Sequence, residues 1–266
     1  KEALSASGYK DDKDNRLKEA SVYIELHPEQ GPILAKEDIE IGIVEGLLGM
    51  VCYEITIIGE SKPAWTTPMS VRKDPILVAA NLISKLDAKL SGLDQALLYT
   101  IGSVNVSPNI PAIIPDKVTF TIDVRHQVPQ IIKQVEVVIQ SLLKEESVCI
   151  VTSSKLWSRD AIVFEPSICN EIEQSCKDYG YSFYHLYSGA GHDVQFIANI
   201  VPAAMIFVPD IKDRAEKQIY EYYVKGADVL LETILTLQTK LAMKQPFTEC
   251  AQFVNQGHSV MNSRKL

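Results

Sequence analysis

Long apolar runs are missing from this 266-residue chain. The longest, Ile197–Val208, is broken by Asn199 and Pro202 and falls short of the roughly 20 residues a bilayer demands. A membrane-spanning helix is therefore excluded. Clusters of Lys and Arg are missing as well. With 26 basic against 34 acidic side chains, the net charge is −8, the wrong sign for a phosphate-binding face, so no nucleic-acid partner is expected. Cysteine pairs are lacking too: Cys52, Cys149, Cys169, Cys176 and Cys250 are odd in number and form no CxxC. That excludes a zinc ribbon or a dithiol redox motif and fits free thiols in a reducing, cytoplasmic setting. The opening Lys1-Glu2-Ala3-Leu4 has neither Met nor the basic-then-apolar layout of a leader, and reads as a point inside a longer chain.

What is present is a globular composition, 46% hydrophobic and 23% charged. Residues 4–20 read as a loop with a short helix. Residues 21–27, rich in β-branched and aromatic side chains, read as a strand ending in His27, Glu29 and Gln30 before the turn Gly31-Pro32. Residues 43–58 form one long β-rich run with Gly46 and Gly49 as bulge points. Apolar spacing predicts helices over 74–90 and about 129–144, with strands at 97–106, 118–126 and 148–153. The order strand, helix, strand, strand, helix, strand is that of a split βαβ, ferredoxin-like α+β unit. Beyond it come a helix over 167–179, a strand over 182–186, a helix over 193–200, a strand over 203–208 and a helix over 219–237. Residues 240–266 form a polar tail. The fold expected is an α/β domain in two pieces, 1–42 and 159–239, around an inserted α+β domain, 43–158.

Three places could support chemistry. In an extended strand alternate side chains share a face, so Glu25, His27 and Glu29 are expected to point together, as a divalent-metal ligand set or as a histidine simply bonded to its neighbouring carboxylates. Ser188-Gly189-Ala190-Gly191-His192-Asp193 is a small-residue turn. Its glycines suggest close approach or positive φ, and His192 beside a helix start suggests an oxyanion or carboxylate donor; a Gly-rich connection capped by Asp193 reads equally well. Arg125 ends a strand in Asp123-Val124-Arg125-His126 and offers a planar fork to a carboxylate, or a surface ion pair. His185, in an apolar strand, reads as structural.

Together these segments resemble the N-carbamoyl-L-amino acid hydrolase, allantoate amidohydrolase and β-ureidopropionase family, within the zinc carboxypeptidase-like metallohydrolases. Residues 25–32 are similar to its ELHIEQGP, 63–69 to HAGTTPM, 72–74 to RxD, 108–115 to PNAxNVIP, and 188–193 reproduce SGAGHD. The resemblance implies an α/β catalytic domain and an inserted lid that also dimerises the subunit. It implies two Zn or Mn ions whose bridging water attacks a ureido or amidino carbon of a small carbamoyl or ureido acid. Carried over by position, His27 is a metal ligand, while Gln30, Asn109, Arg125, Gly191 and His192 bind substrate.

The departures count as much. The family's other early metal ligands precede ELHIEQGP, and this chain starts too late to hold them. The lid histidine is Pro63, the following glycine is Trp65, and the second asparagine of PNAxNVIP is Ala112. No histidine of the late GxSHxPxE motif follows Val208-Pro209. A metal-dependent amidohydrolase fold, incomplete and inactive as this chain alone, is expected. The alternative is a non-catalytic dimerising scaffold that binds a small acid.

Overall fold

The computed structural model describes residues 2–8, 20–210 and 216–243. The expected loop and helix over 4–20 falls partly, and the tail over 240–266 largely, outside the described residues. In chain order the elements are α1 (Glu2–Ala6), β1 (Tyr23–Pro28), α2 (Ile33–Lys36), β2 (Ile41–Leu47), β3 (Gly49–Ile58), β4 (Lys62–Pro63) and α3 (Pro75–Leu90). Then follow β5 (Leu98–Ser107), β6 (Ile113–Ile114), β7 (Lys117–His126), α4 (Pro129–Glu145), β8 (Ile150–Arg159) and β9 (Ile162–Val163). The chain closes with α5 (Pro166–Tyr179), β10 (Phe183–Ser188), α6 (Val194–Ile197), β11 (Ala203–Val208) and α7 (Glu216–Ala242).

Two sheets result, each with its own core. The first is mixed, in the order β1-β11-β2-β10, with β9 pairing β2. β1 runs parallel to β11, β10 parallel to β2, and β11 antiparallel to β2. Its core joins Ile41, Ile43, Val44 and Leu47 to the wholly buried run of β11 and to Ile168, Ile172 and Cys176 of α5. β11 is apolar at every position because helices or loops cover both of its faces. The second sheet is antiparallel, β5-β7-β3-β8. Its strands alternate, and the buried side (Val51, Ile55, Ile57, Phe120, Ile122, Val124) packs under α3 and α4. Both helices begin with proline in the first turn, where the missing N–H costs nothing; Asp74 also caps α3 by accepting from the Ile76 N–H at 3.0 Å.

The run read as one strand over 43–58 is two strands in different sheets, meeting at Leu48. The pattern hides the break because no turn residue interrupts it. The two glycines mark it for another reason: the returning chain crosses there. A Cβ on Gly46 would lie 2.1 Å from the Ile162 carbonyl oxygen, and one on Gly49 would lie 2.9 Å from the Ala161 nitrogen. Only backbone fits between these crossings.

Candidate metal centre

The two sheets meet at a cavity of about 660 Å³ lined by Gln30, Leu48, Tyr99, Arg125, Gly189 and Phe207 among others. Beside it, β1 presents Glu25 and His27 two residues apart on one side of the strand. After Ser188 the chain folds back over the sheet and lays α6 against β1 and β11, which returns His192 to the same spot. The His27 and His192 rings stand 4.7 Å apart, edge to face at 72°. Phe207 packs on both, at 6.3 and 5.6 Å. One ligand atom from each of Glu25, His27 and His192 lies within 4.8 Å of the other two. The cluster adjoins the cavity through Ser188, Gly189 and Phe207, although neither histidine lines its wall.

Each of the three side chains is held by a partner that leaves one lone pair uncommitted. His27 Nδ1 donates to the Pro28 carbonyl at 2.7 Å, so Nε2 is the acceptor nitrogen. Glu25 Oε2 accepts from the Val194 N–H at 2.9 Å and from the Tyr23 hydroxyl at 3.3 Å, leaving Oε1 to face His192 Nδ1 at 3.9 Å. His192 Nε2 lies 2.8 Å from Ser188 Oγ, which also accepts from the Ala190 N–H at 3.2 Å. With Nε2–H donated to that hydroxyl, Nδ1 keeps its lone pair for the cluster. Burial pushes the His192 pKa down to about 4, reinforced by His27 and Arg159 and opposed by Asp193; the ring is therefore neutral at pH 7. Two imidazoles and one carboxylate, each steadied on its far side, match the three-ligand set of a catalytic zinc. The donor chemistry fits such an ion.

Several expected site residues lie elsewhere or do something else. Glu29 does not join Glu25 and His27. It is buried, and its two oxygens accept from the Ile33 and Leu34 N–H groups at 3.0 and 2.8 Å, capping α2. Strand alternation stops at Pro28, where β1 ends, so the shared-face argument does not reach Glu29. Gln30 is exposed on the cavity wall. Arg125 lines the cavity too, but Nε donates to Asp123 at 2.8 Å and Nη1 to the Gly189 carbonyl at 2.6 Å. Its guanidinium thus ties the second sheet to the glycine turn. Asn109, at φ 56°, lines a separate cleft with Arg72, Ile76 and Ile110.

The glycine turn departs from expectation as well. Neither Gly189 nor Gly191 has positive φ, and a Cβ on either would meet nothing closer than 3.7 Å. The N–H of Val194 at the start of α6 is taken by Glu25, so it offers no open anion site. His185 is structural, held between Glu45 at 2.9 Å and Glu173 at 3.0 Å. Sequence reasoning missed Arg159, the last residue of β8. It donates to the Leu48 carbonyl at 3.0 Å and to Gln195, and its buried Nε has no partner. Only its place at the crossing between the sheets could have flagged it.

The description of peptidase family M20/M25/M40 matches residues 6–239. An N-carbamoyl-L-amino acid amidohydrolase of Geobacillus stearothermophilus is 33% identical over 226 residues, covering 81% of this chain and 54% of that protein. The allantoate amidohydrolase of Bacillus subtilis (strain 168) is 32% identical over 194 residues, 71% of this chain and 47% of its own. The crystal structure of a hydantoinase/carbamoylase family amidase from Burkholderia multivorans superposes with a TM-score of 0.78 at 28% identity, over 88% of this chain and 59% of that one. The present chain spans about half the length of the two sequence relatives.

Proposed function

This chain belongs to peptidase family M20/M25/M40, with amidohydrolases of N-carbamoyl amino acids and allantoate among its relatives, and from that premise we propose that it is the metal-binding half-site of an enzyme that hydrolyses linear ureido or amidino C–N bonds in small acids. The observation behind this reading is the convergence of Glu25, His27 and His192 within 4.8 Å. A bound Zn or Mn ion would supply Lewis acidity and a water of lowered pKa. The chain's own residues prepare the place for it. Pro28 and Ser188 orient the two rings, the Val194 N–H holds Glu25, and Phe207 packs on both imidazoles.

In this reading the chain alone turns over little or no substrate. Among the described residues Glu25, His27 and His192 form the one group of three or more possible metal ligands, which suits a single ion rather than a two-metal centre. The second lobe, β3 to β8 with its two helices, would act as the lid and as the homodimer contact. Gln30 would meet substrate from the cavity wall, with Arg125 bracing the glycine turn beside it, and the lost donor at Pro63 leaves the lid side weak. The scaffold alternative is less favoured. Arg125 is already paired with Asp123 and the Gly189 carbonyl, and neutral His192 holds Ser188, so neither is an idle cation waiting for an acid.

The test is metal content and zinc titration of the purified chain, with ammonia release from an N-carbamoyl amino acid measured in parallel. About one Zn per chain is expected, lost in His27→Ala and in His192→Ala, with ammonia at background. A folded chain that takes up no added zinc overturns the reading.

A further inference from the structure

α6 is a single turn, Val194–Ile197, too short to hold its own shape. Val194 is buried, but Phe196 is 67% exposed, and Gly191, Asp193, Asn199 and Ile200 around it are exposed as well. Asp193 at its start makes no capping bond. Yet two of the three candidate ligands depend on this turn. His192 leads into it, and its Val194 N–H holds Glu25 Oε2 at 2.9 Å. A ligand set works only when its atoms are fixed to within about 0.5 Å, so α6 needs a brace beyond its own packing.

Arg159 supplies one from the end of β8. Nη1 donates to the Gln195 side-chain carbonyl, and Nη2 donates to the Leu48 carbonyl at 3.0 Å. Both partners lead back to His192. The Leu48 N–H donates to the Ser188 carbonyl at 2.9 Å, and Ser188 Oγ lies 2.8 Å from His192 Nε2. The Gln195 N–H donates to the His192 carbonyl at 3.1 Å. These bonds, with the short stretches of chain between them, close a ring around the imidazole. The turn lies directly against the brace: a Cβ on Gly191 would sit 3.7 Å from Gln195 Oε1 and 3.8 Å from Arg159 Nη1.

Fold stability does not account for an arginine here. Among the described residues its hydrogen-bond partners are a backbone carbonyl and a neutral amide, with no carboxylate to match its charge. Its buried Nε has no partner, which costs free energy. Burial and the charge of Arg125 both push its pKa down. What the position gains is geometry, since the planar fork reaches two acceptors at fixed angles. We propose that Arg159 is a positioning residue for the candidate metal centre, setting where His192 Nδ1 stands against Glu25 and His27 while donating to none of the three. The inference rests on the metal-binding reading of that cluster.

The direction of the effect separates position from charge. A guanidinium is a positive charge near a site for a dication, so its removal by charge alone should tighten zinc binding. Loss of a brace works the other way, because a ligand nitrogen no longer oriented binds metal less well.

The test is a competitive zinc titration of the full chain and its variants, with cobalt(II) uptake followed by visible absorption. Arg159→Ala should bind zinc at least tenfold more weakly with circular dichroism unchanged, and its cobalt band should weaken and shift. Arg159→Lys keeps the charge without the fork and should recover little of the loss. Gln195→Leu should weaken binding as well. The double variant should lose no more than the worse single one, because both cut the same ring. Gln195→Leu leaves the arginine in place and decides the matter alone if Arg159→Ala does not fold. Zinc affinity unchanged or raised in either folded single variant overturns the proposal, as do additive losses in the double variant or full recovery by Arg159→Lys. A wild-type chain that takes up no zinc overturns the metal reading instead, and this inference with it.

Discussion

Ser188 is the residue on which the candidate centre turns. Its Oγ, 2.8 Å from His192 Nε2, fixes which imidazole nitrogen is left for an ion, and partners of this kind are worth about 10–100-fold in metal affinity. Ser188→Ala should therefore weaken zinc binding by about that factor in a competition titration, with the fold unchanged; equal affinity in the variant would show that the hydroxyl does not orient the ring. At this scale the sequence was only partly legible. His27 and His192 were both singled out, but residue spacing could not bring them together, since 165 residues and a whole inserted lobe separate them. The resemblance did that. Glu29 was misread because alternation along a strand says nothing once the strand has ended, and a carboxylate just before a helix start is drawn to that helix's free N–H groups.

Among the elements, β2 and α7 depend on Glu40. Its carboxylate accepts from the Ser182 N–H at 2.7 Å, from the Ser182 hydroxyl at 3.1 Å and from Lys225, joining the starts of β2 and β10 to α7. Burial alone would raise its pKa, yet the hydrogen bonds from Lys225 and Ser182 outweigh that and hold it below the usual carboxylate value. A depressed folded pKa stabilises the fold above the unfolded value, and the benefit is lost as pH falls through the unfolded and then the folded value. Glu40→Gln should cost about 1 kcal/mol at neutral pH after screening is allowed for. It should also flatten the acid limb of a denaturation-versus-pH series, and a parallel limb would refute the linkage. Helices and strands were legible here nearly throughout, because periodicity of 3.6 or 2 survives without tertiary context. The break at Leu48 was not, since a strand that changes sheets keeps its β pattern.

Two cores, not one, describe the molecule as a whole. Phe120 is fully buried in the second, and truncating such a ring costs about 3–5 kcal/mol. Both tryptophans, Trp65 and Trp157, belong to the second lobe, whereas Glu25, His27 and His192 belong to the first. Phe120→Ala should accordingly shift the tryptophan-monitored denaturation midpoint downward while zinc uptake persists at low denaturant. Loss of both together would mean that the lobes unfold as one cooperative unit. The boundary expected between residues 42 and 43 falls inside β2, which stays in the first sheet to Leu47. Where the lobes touch was not readable, because Arg125 reaches the Gly189 carbonyl and Arg159 reaches the Leu48 carbonyl and the Gln195 side chain, partners that no spacing along the chain announces.

The backbone passes between the lobes at Leu48 and again just after Arg159, and these passages lie side by side, so close that glycine is required at 46 and 49. Two adjacent tethers leave the lobes essentially one freedom, rotation about the line through both. Such a swing would widen or narrow the 660 Å³ space as a single coordinate, and its first cost would be prising the Arg125 guanidinium off the Gly189 oxygen.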